Sequence, residues 1–355
     1  MPHRNKYSVH ISDMQAYKSC RRAWNWSSSL RGNLEPIEKY APFFIGTLVH
    51  HALEYWYRLE LRPFHSIHEY LVEQGITEFG DSLATPQNYI NQLPTQMQQQ
   101  VHEAIAYAEH YIAWQQHDNT WLADREFDFI EPEQSFSRVL FKNSRKQINH
   151  DGRFDGVVQH RQNKKHYLWE LKTTRSITER EKQLLFDSQA DTYTIAVQDI
   201  LGQPIAGIVY TLIRKKIPEQ PIILKNGMLS QNTSIDTTPE LYLAAIKAHH
   251  GIDATKEFIT TNYQSILNAL VIQPNKFFRR VVVNRSQAEL RRANDEFLTV
   301  AKEMINPATP IYATDGPHCN YCLFRTPCDA MRKGLDYQAI LNSAFVQKQS
   351  KEAHE

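Results

Sequence analysis

The stretch "FDGVVQHRQNKKHYLWELKTT", residues 154–174, limits the fold more than any other part of the chain. Two apolar runs flank the polar turn "RQNKK", the pattern of a β-hairpin. Runs this rich in Val, Leu, Tyr and Trp belong in a sheet covered on both faces. Three charged side chains nevertheless interrupt them. Side chains alternate along a strand, so Glu170 and Lys172 share one face while Leu171 points to the other. Asp155, on the preceding strand, comes opposite Glu170 when the hairpin pairs.

Two carboxylates completed by water oxygens suit Mg²⁺ or Mn²⁺, hard cations that prefer oxygen donors. A lysine beside them can orient or deprotonate a water, or steady the charge that develops on a phosphate. Taken alone, the same three residues also fit an ion pair on a solvated sheet face, which is common and contributes little. The rest of the chain bears on that choice. With 355 residues and 41% hydrophobic content the chain can bury a large core. Its formal charge of +1 sets up no global field, so any grip on a polyanion must be a local patch. No apolar run approaches the ~18 residues of a membrane span, and "MPHRNKYSVHISDMQ" lacks the apolar centre of a secretory signal. Four cysteines are too few for a disulfide-rich secreted scaffold, so a cytoplasmic protein with clustered metal-binding thiols is expected.

Periodicity predicts one α/β domain over residues 1–355. Helices are expected in "FIGTLVHHALEYWYRL" and over 96–116, where Val101, Ile105, Ala108 and Ile112 share a face. Strands follow in "EFDFI", "SFSRVLF", "RFDGVVQH" and "HYLWELKTT". A helix in "LLFDSQADTYTIAVQDIL" ends before Gly202, "AGIVYTLIRKK" is a further strand, and helices are expected over about 240–270 and 285–305. This divides the chain into a helical region at 31–124 carrying His50, a core at 125–215, an exposed Pro/Asn/Ser-rich insertion at 216–240 and a helical, basic region at 241–309. Segments 8–30 and 310–335 carry the cysteines.

Four further groups stand out. His50 and Glu54 lie one helical turn apart. Gln189 and Tyr193 share a face of the helix that follows the lysine strand. Cys319, Cys322 and Cys328 in "CNYCLFRTPC" leave a fourth thiol to Cys20 in "AYKSCRRAW", one plus three rather than the two close pairs of a zinc ribbon. "FFRRVVVNRSQAELRRA" and "LIRKK" are basic, and Arg279, Arg280, Arg214 and Lys215 are candidate DNA contacts, gripping phosphates or stacking beside the phenylalanines. No helicase P-loop of the form G-x-x-x-x-G-K-[ST] is present, so any motor would be another chain.

In this order the motifs resemble those of the PD-(D/E)XK nuclease superfamily, in particular its RecB-like exonucleases, over about residues 8–335. The resemblance implies an α/β restriction-endonuclease-like core, a mixed sheet flanked by helices, with a helical wrap. His50 matches the family's metal-site histidine, Asp155 and Glu170 its carboxylate metal ligands, and Lys172 its catalytic lysine. Gln189 and Tyr193 match the Q-x-x-x-Y motif that contacts DNA near the scissile phosphate. The cysteine arrangement looks like the iron–sulfur staple of CRISPR-associated adaptation exonucleases and AddB-type nuclease domains, in which a [4Fe–4S] cluster joins the N- and C-terminal segments. Thiolate ligation fits such a cluster and also fits zinc.

What the resemblance implies is a Mg²⁺- or Mn²⁺-dependent DNA exonuclease that processes DNA ends in recombination or repair. The segment 216–240 and the tail "GLDYQAILNSAF" are similar to stand-alone nucleases of phages and prophages, which suggests a strand-annealing protein or a helicase as partner. Two alternatives stand beside it: a CRISPR-type spacer-trimming nuclease, and a DNA-end-binding scaffold with a vestigial site.

Overall fold

The structure, a computed structural model, describes residues 5–37, 44–57, 67, 90–91 and 93–348. At its centre is a six-stranded mixed sheet ordered β1-β4-β5-β6-β7, with β3 also paired to β4. The strands are β1 (Asn5–Val9), β3 (Phe127–Lys142), β4 (Lys146–His160), β5 (His166–Thr174), β6 (Gly207–Arg214) and β7 (Phe278–Val283). β4 runs antiparallel to β3 and β5 and parallel to β1; β5 and β6 are parallel, and β7 closes antiparallel to β6. The two short strands expected in "EFDFI" and "SFSRVLF" are one long β3, bent by register shifts between Phe129 and Glu131 and between Val139 and Phe141.

Both faces of the sheet are covered, which is why β5 is apolar on both sides. On one face Leu168, Val157, Tyr210 and Leu212 meet α1 (Ile11–Ser19), α6 (Ser188–Leu201) and α9 (Gln287–Met304) through Met14, Tyr193, Val197 and Phe297. On the other, Leu171 and Ile213 pack under α3 (Phe44–Tyr57) and α4 (Thr95–His117). The buried stripe of α4 is Val101, Ala104, Ala108 and Tyr111, so Ile105 and Ile112 sit at its edge and not at its centre. α5 (Ile177–Gln183) follows β5 directly.

The helical stretch expected near 240–270 holds two helices, α7 (Pro239–His250) and α8 (Lys256–Ile272), broken at Gly251 with φ 55° and restarted by a Thr255 side-chain cap. They enclose their own cluster of Tyr242, Ile246, Tyr263 and Ile266, into which Leu229 of the 216–240 segment inserts. Much of that segment is exposed, but it is anchored there.

The two ends of the described chain meet. β2 (Leu34–Pro36) pairs antiparallel with β8 (Phe345–Gln347), and Trp26 of α2 (Arg21–Ser27) packs with Phe324, Leu341 and Phe345 around α10 (Arg325–Arg332) and α11 (Tyr337–Ala344). No described helix is long and apolar enough to cross a membrane.

Candidate active site

The β4–β5 ladder pairs Gln159 with His166, Val158 with Tyr167, Val157 with Leu168 and Gly156 with Trp169, then stops. One step further the Asp155 carboxylate replaces the backbone: its Oδ2 accepts the Leu171 N–H at 2.7 Å. That bond fixes Asp155 beside Glu170, as the hairpin register predicts. Glu170 is 1% exposed, and its Oε2 accepts from Lys172 Nζ at 2.6 Å. Its Oε1 is buried with no hydrogen-bond partner. A buried carboxylate oxygen left bare is costly unless a ligand completes it.

Helix α3 supplies His50. Gly46 lets the helix approach β5, since a Cβ there would lie 3.1 Å from Thr173 Oγ1. One turn later His50 Nδ1 stands 3.4 Å from Asp155 Oδ1. Glu54, one turn on from His50, lies 3.6 Å from His51 Nδ1 and 4.0 Å from Arg153. The reason is the i,i+3 spacing of His51 and Glu54, which the helix brings together as readily as i,i+4. From α6, Gln189 Oε1 accepts a longer bond from Lys172 Nζ, 3.4 Å. Tyr193, on the next turn, is buried against Phe136 and His150. Asp155, Glu170, Lys172, His50 and Gln189 therefore meet in one corner, with Tyr193 behind them.

Asp187 joins this corner. Its side chain caps α6, accepting from the Gln189 and Ala190 N–H groups, and its charge acts on both Glu170 and Lys172. In the sequence an Asp ahead of a helix is simply a cap, and nothing in "LLFDSQ" marks it as a neighbour of the lysine strand. Three carboxylates thus act on one ammonium, and Asp187 also lies 3.5 Å from Arg180. Burial, aided by Asp155 and Asp187 and opposed by Lys172, pushes Glu170 up to about 7. Burial also pushes Asp155 up, but His50, Lys172 and the Leu171 N–H prevail and hold it below the usual carboxylate range. For Lys172 burial favours the neutral amine, yet Glu170, Asp155 and Asp187 outweigh it and keep it a cation.

Among the described residues no three His, Cys, Asp or Glu side chains close around a point as a finished metal cage. The donors nonetheless fit a hard divalent ion: an orphaned buried oxygen on Glu170, an ionised Asp155 and an imidazole in reach, with excess negative charge.

At the other corner, Cys20, Cys319, Cys322 and Cys328 line one cavity of about 610 Å³. All four are free thiols. Burial, and behind it the closeness of Cys20, Cys319 and Cys328, raises Cys322, while a backbone N–H opposes the shift. The Thr314 N–H points at Cys20 Sγ at 3.5 Å and Arg22 at Cys328 Sγ at 3.6 Å.

The basic candidates divide. Arg280, expected among the DNA contacts, points inward: its side chain is 2% exposed, 2.7 Å from Asp124, bonded to Tyr111 and the Leu122 carbonyl, and 4.4 Å from the Trp169 ring centroid. Register explains this, because Arg280 pairs with Thr211, which pairs with Leu171 on the α3–α4 face. Arg279 points the other way, 3.1 Å from Glu181. Arg214 is held by Asp236 at 3.0 Å, and Lys215 is half-buried.

A search of curated proteins returned no match. The sequence profile of the PD-(D/E)XK nuclease superfamily matches residues 9–329. That span contains α3, β4, β5 and α6, the four elements that build the corner. The chain belongs to the PD-(D/E)XK nuclease superfamily, whose members are typically nucleases that use divalent metal ions.

Proposed function

We propose that the chain is a metal-dependent DNA exonuclease that processes DNA ends for recombination or repair, of the kind carried by phages and prophages. The observation that carries the hydrolytic reading is Glu170 Oε1, buried and bare beside Asp155 and an ammonium. The exonuclease reading rests on the RecB-like order of His50, Asp155, Glu170-x-Lys172 and Gln189-x-x-x-Tyr193.

His50, Asp155 and Glu170 would hold Mg²⁺ or Mn²⁺. The bound ion supplies Lewis acidity to the phosphate and to the attacking water. Lys172, kept protonated by the acids around it, donates hydrogen bonds to the oxygens on which negative charge grows. Gln189 steadies that ammonium. Water forms a new P–O bond in line as the bond to the leaving sugar oxygen breaks; one proton leaves the water and one is taken up by the leaving oxygen.

The four cysteines would hold a [4Fe–4S] cluster that fastens the terminal segments to the core. The cavity is far larger than a single ion needs, a water taking roughly 30 Å³, and N–H groups aimed at two of the sulfurs suit a cluster's need for hydrogen bonds. Zinc is the alternative ligand. A strand-annealing protein or a helicase would be a partner.

The test is digestion of end-labelled linear DNA and of closed circular DNA with Mg²⁺ or Mn²⁺. Stepwise release of nucleotides from linear DNA alone is expected, and Asp155→Ala should abolish it while DNA binding persists. Full activity in Asp155→Ala removes the metal-site assignment; cutting of circles removes the exonuclease one.

A further inference from the structure

Beside the catalytic corner, the same face of the sheet carries a cluster of positive charge that acids only partly offset. Lys172 pairs with Leu212, and Leu212 with Arg279. Cross-strand partners share a face, so Arg279 lies two strands from Lys172 on the same side, roughly 10 Å away at ~4.8 Å per strand. Thr174 pairs with Arg214, which lies on that face two residues further along. Here β5 and β6 end and β7 begins, and the gap is a cavity of about 340 Å³ lined by Arg175, Arg214, Lys276, Arg279, Thr178 and Asn275 among others.

Two of the four cations are occupied: both Asp236 oxygens lie 3.0 Å from Arg214, and Glu181 lies 3.1 Å from Arg279. Arg175 and Lys276 have no ion-pair partner among the described residues. Burial, and after it Arg175, lowers the Lys215 pKa, so these two cations at the strand ends are close enough to repel. Such an arrangement is stable only if an anion or solvent separates the cations. Hydroxyl and amide groups from Thr178 and Asn275 line the same space, the partners a phosphate takes along with its cations.

We infer that this cavity is a second phosphate subsite, which holds a non-scissile phosphate of the substrate strand while the phosphate to be cut lies over Asp155, Glu170 and Lys172. The inference rests on the nuclease reading above. A separation of roughly 10 Å from Lys172 corresponds to two or three nucleotides at ~3.4 Å rise per nucleotide of one strand. Arg175 and Lys276 bear the charge-assisted contacts; Arg214 and Arg279, held by their acids, are the walls. Gripping the strand at two points fixes its register over the lysine, so the subsite acts on binding more than on the chemical step.

The test is a walk of a single neutral methylphosphonate linkage along an end-labelled oligonucleotide, two or more nucleotides from the cut, with KM and kcat measured for each position. One position should raise KM about tenfold at little change in kcat, the scale of one lost charge-assisted contact. Arg175→Ala and Lys276→Ala should each raise KM about tenfold on all-phosphate DNA and flatten the salt dependence of binding by about one phosphate contact, while Lys276→Arg keeps the wild-type value. Losses from Lys276→Ala and from the sensitive linkage should not add, because both remove one contact. Arg175 is exposed and Lys276 half-buried, so unchanged melting curves are expected for these variants. A flat walk, or additive losses, overturns the subsite and leaves the nuclease reading standing. If wild-type protein cuts nothing, the nuclease reading fails, and the same oligonucleotides in an anisotropy titration decide the subsite separately.

Discussion

The acid–lysine corner and the cysteine corner solve opposite problems. The first is made by neighbours in sequence: Asp155, Glu170 and Lys172 lie within one hairpin, and a backbone N–H of that hairpin locks Asp155 in place. Its elements are held by the sheet, and what it stores is repulsion of Glu170 by Asp155 and Asp187. The second draws Cys20 to Cys319, Cys322 and Cys328 across nearly the whole chain. Its groups are weakly polar thiols, and what brings them together is Trp26, Phe324, Leu341 and Phe345 with the β2–β8 pair. Function is therefore expected to trade against stability at one corner and to follow from it at the other.

The sharpest break of that contrast is Glu170→Gln. It removes a buried charge that faces Asp155 and Asp187, and with it the oxygen pair proposed to hold the metal. Cleavage should fall by at least about 10³-fold, as for loss of a principal electrostatic group, while the melting temperature holds or rises. A variant that is both inactive and clearly destabilised would show that the corner is structural.

Cys20→Ser should do the reverse. A group shared by all four cysteines closes a loop from residue 20 to residue 319, and removing such a cross-link costs several kcal/mol on the scale of about 2–5 kcal/mol seen for cross-links of long loops. Melting temperature, solubility and metal content should fall together, and activity only as folded protein is lost. Anaerobically purified wild type should be brown with about four irons per chain. Colourless, folded protein with one zinc would replace the cluster by zinc and leave the cross-link in place.

Lys172→Ala lies between the two. It should lower the rate by about 10²-fold, and it also removes the cation on which Glu170, Asp155 and Asp187 all act. The Mg²⁺ concentration needed for half-maximal rate should therefore change along with kcat. A loss of rate with an unchanged metal requirement would mean that Lys172 does not share the acids' field.

How far the sequence anticipates these corners follows the same division. The hairpin is legible because strand periodicity alone puts Glu170 and Lys172 on one face and Asp155 opposite. The cysteines are legible as a set, but the aromatic packing that gathers them is not, since Trp26 and Phe345 carry no local signal of meeting. "FFRRVVV" reads as a DNA grip because of its arginines, although its β-branched run also marks the strand β7. Alternation then sends Arg279 to the catalytic face and Arg280 into the core, and only the register with Leu212 and Thr211 decides which goes where. Asp187 is invisible for a similar reason: a helix cap and a neighbour of the active site look alike until the helix is docked on the sheet.

The last test concerns the packing around His150. His150 is fully buried, ringed by Phe136, Tyr193 and Phe297, and neither ring nitrogen has a hydrogen-bond partner. Burial, and after it Arg138, depresses its pKa from 6.5 to about 3. The unfolded chain accepts a proton there near pH 6.5 and the folded one does not, so the unfolded state binds more protons between those values. Stability is fully present above about pH 6.5 and is lost as the pH falls toward 3, by about 1.4 kcal/mol for each pH unit from this group. Replacing His150 by Leu removes the titration and keeps an apolar side chain against the rings. The variant should unfold at lower pH than wild type in urea titrations at pH 4–7, with the difference growing as the pH drops. Because Tyr193 stacks on His150 and stands behind Gln189, activity at pH 8 should change little if the cage serves folding alone. Equal pH dependence in the two proteins would show that His150 meets water in solution and that the helix α6 is less tightly seated than its packing implies.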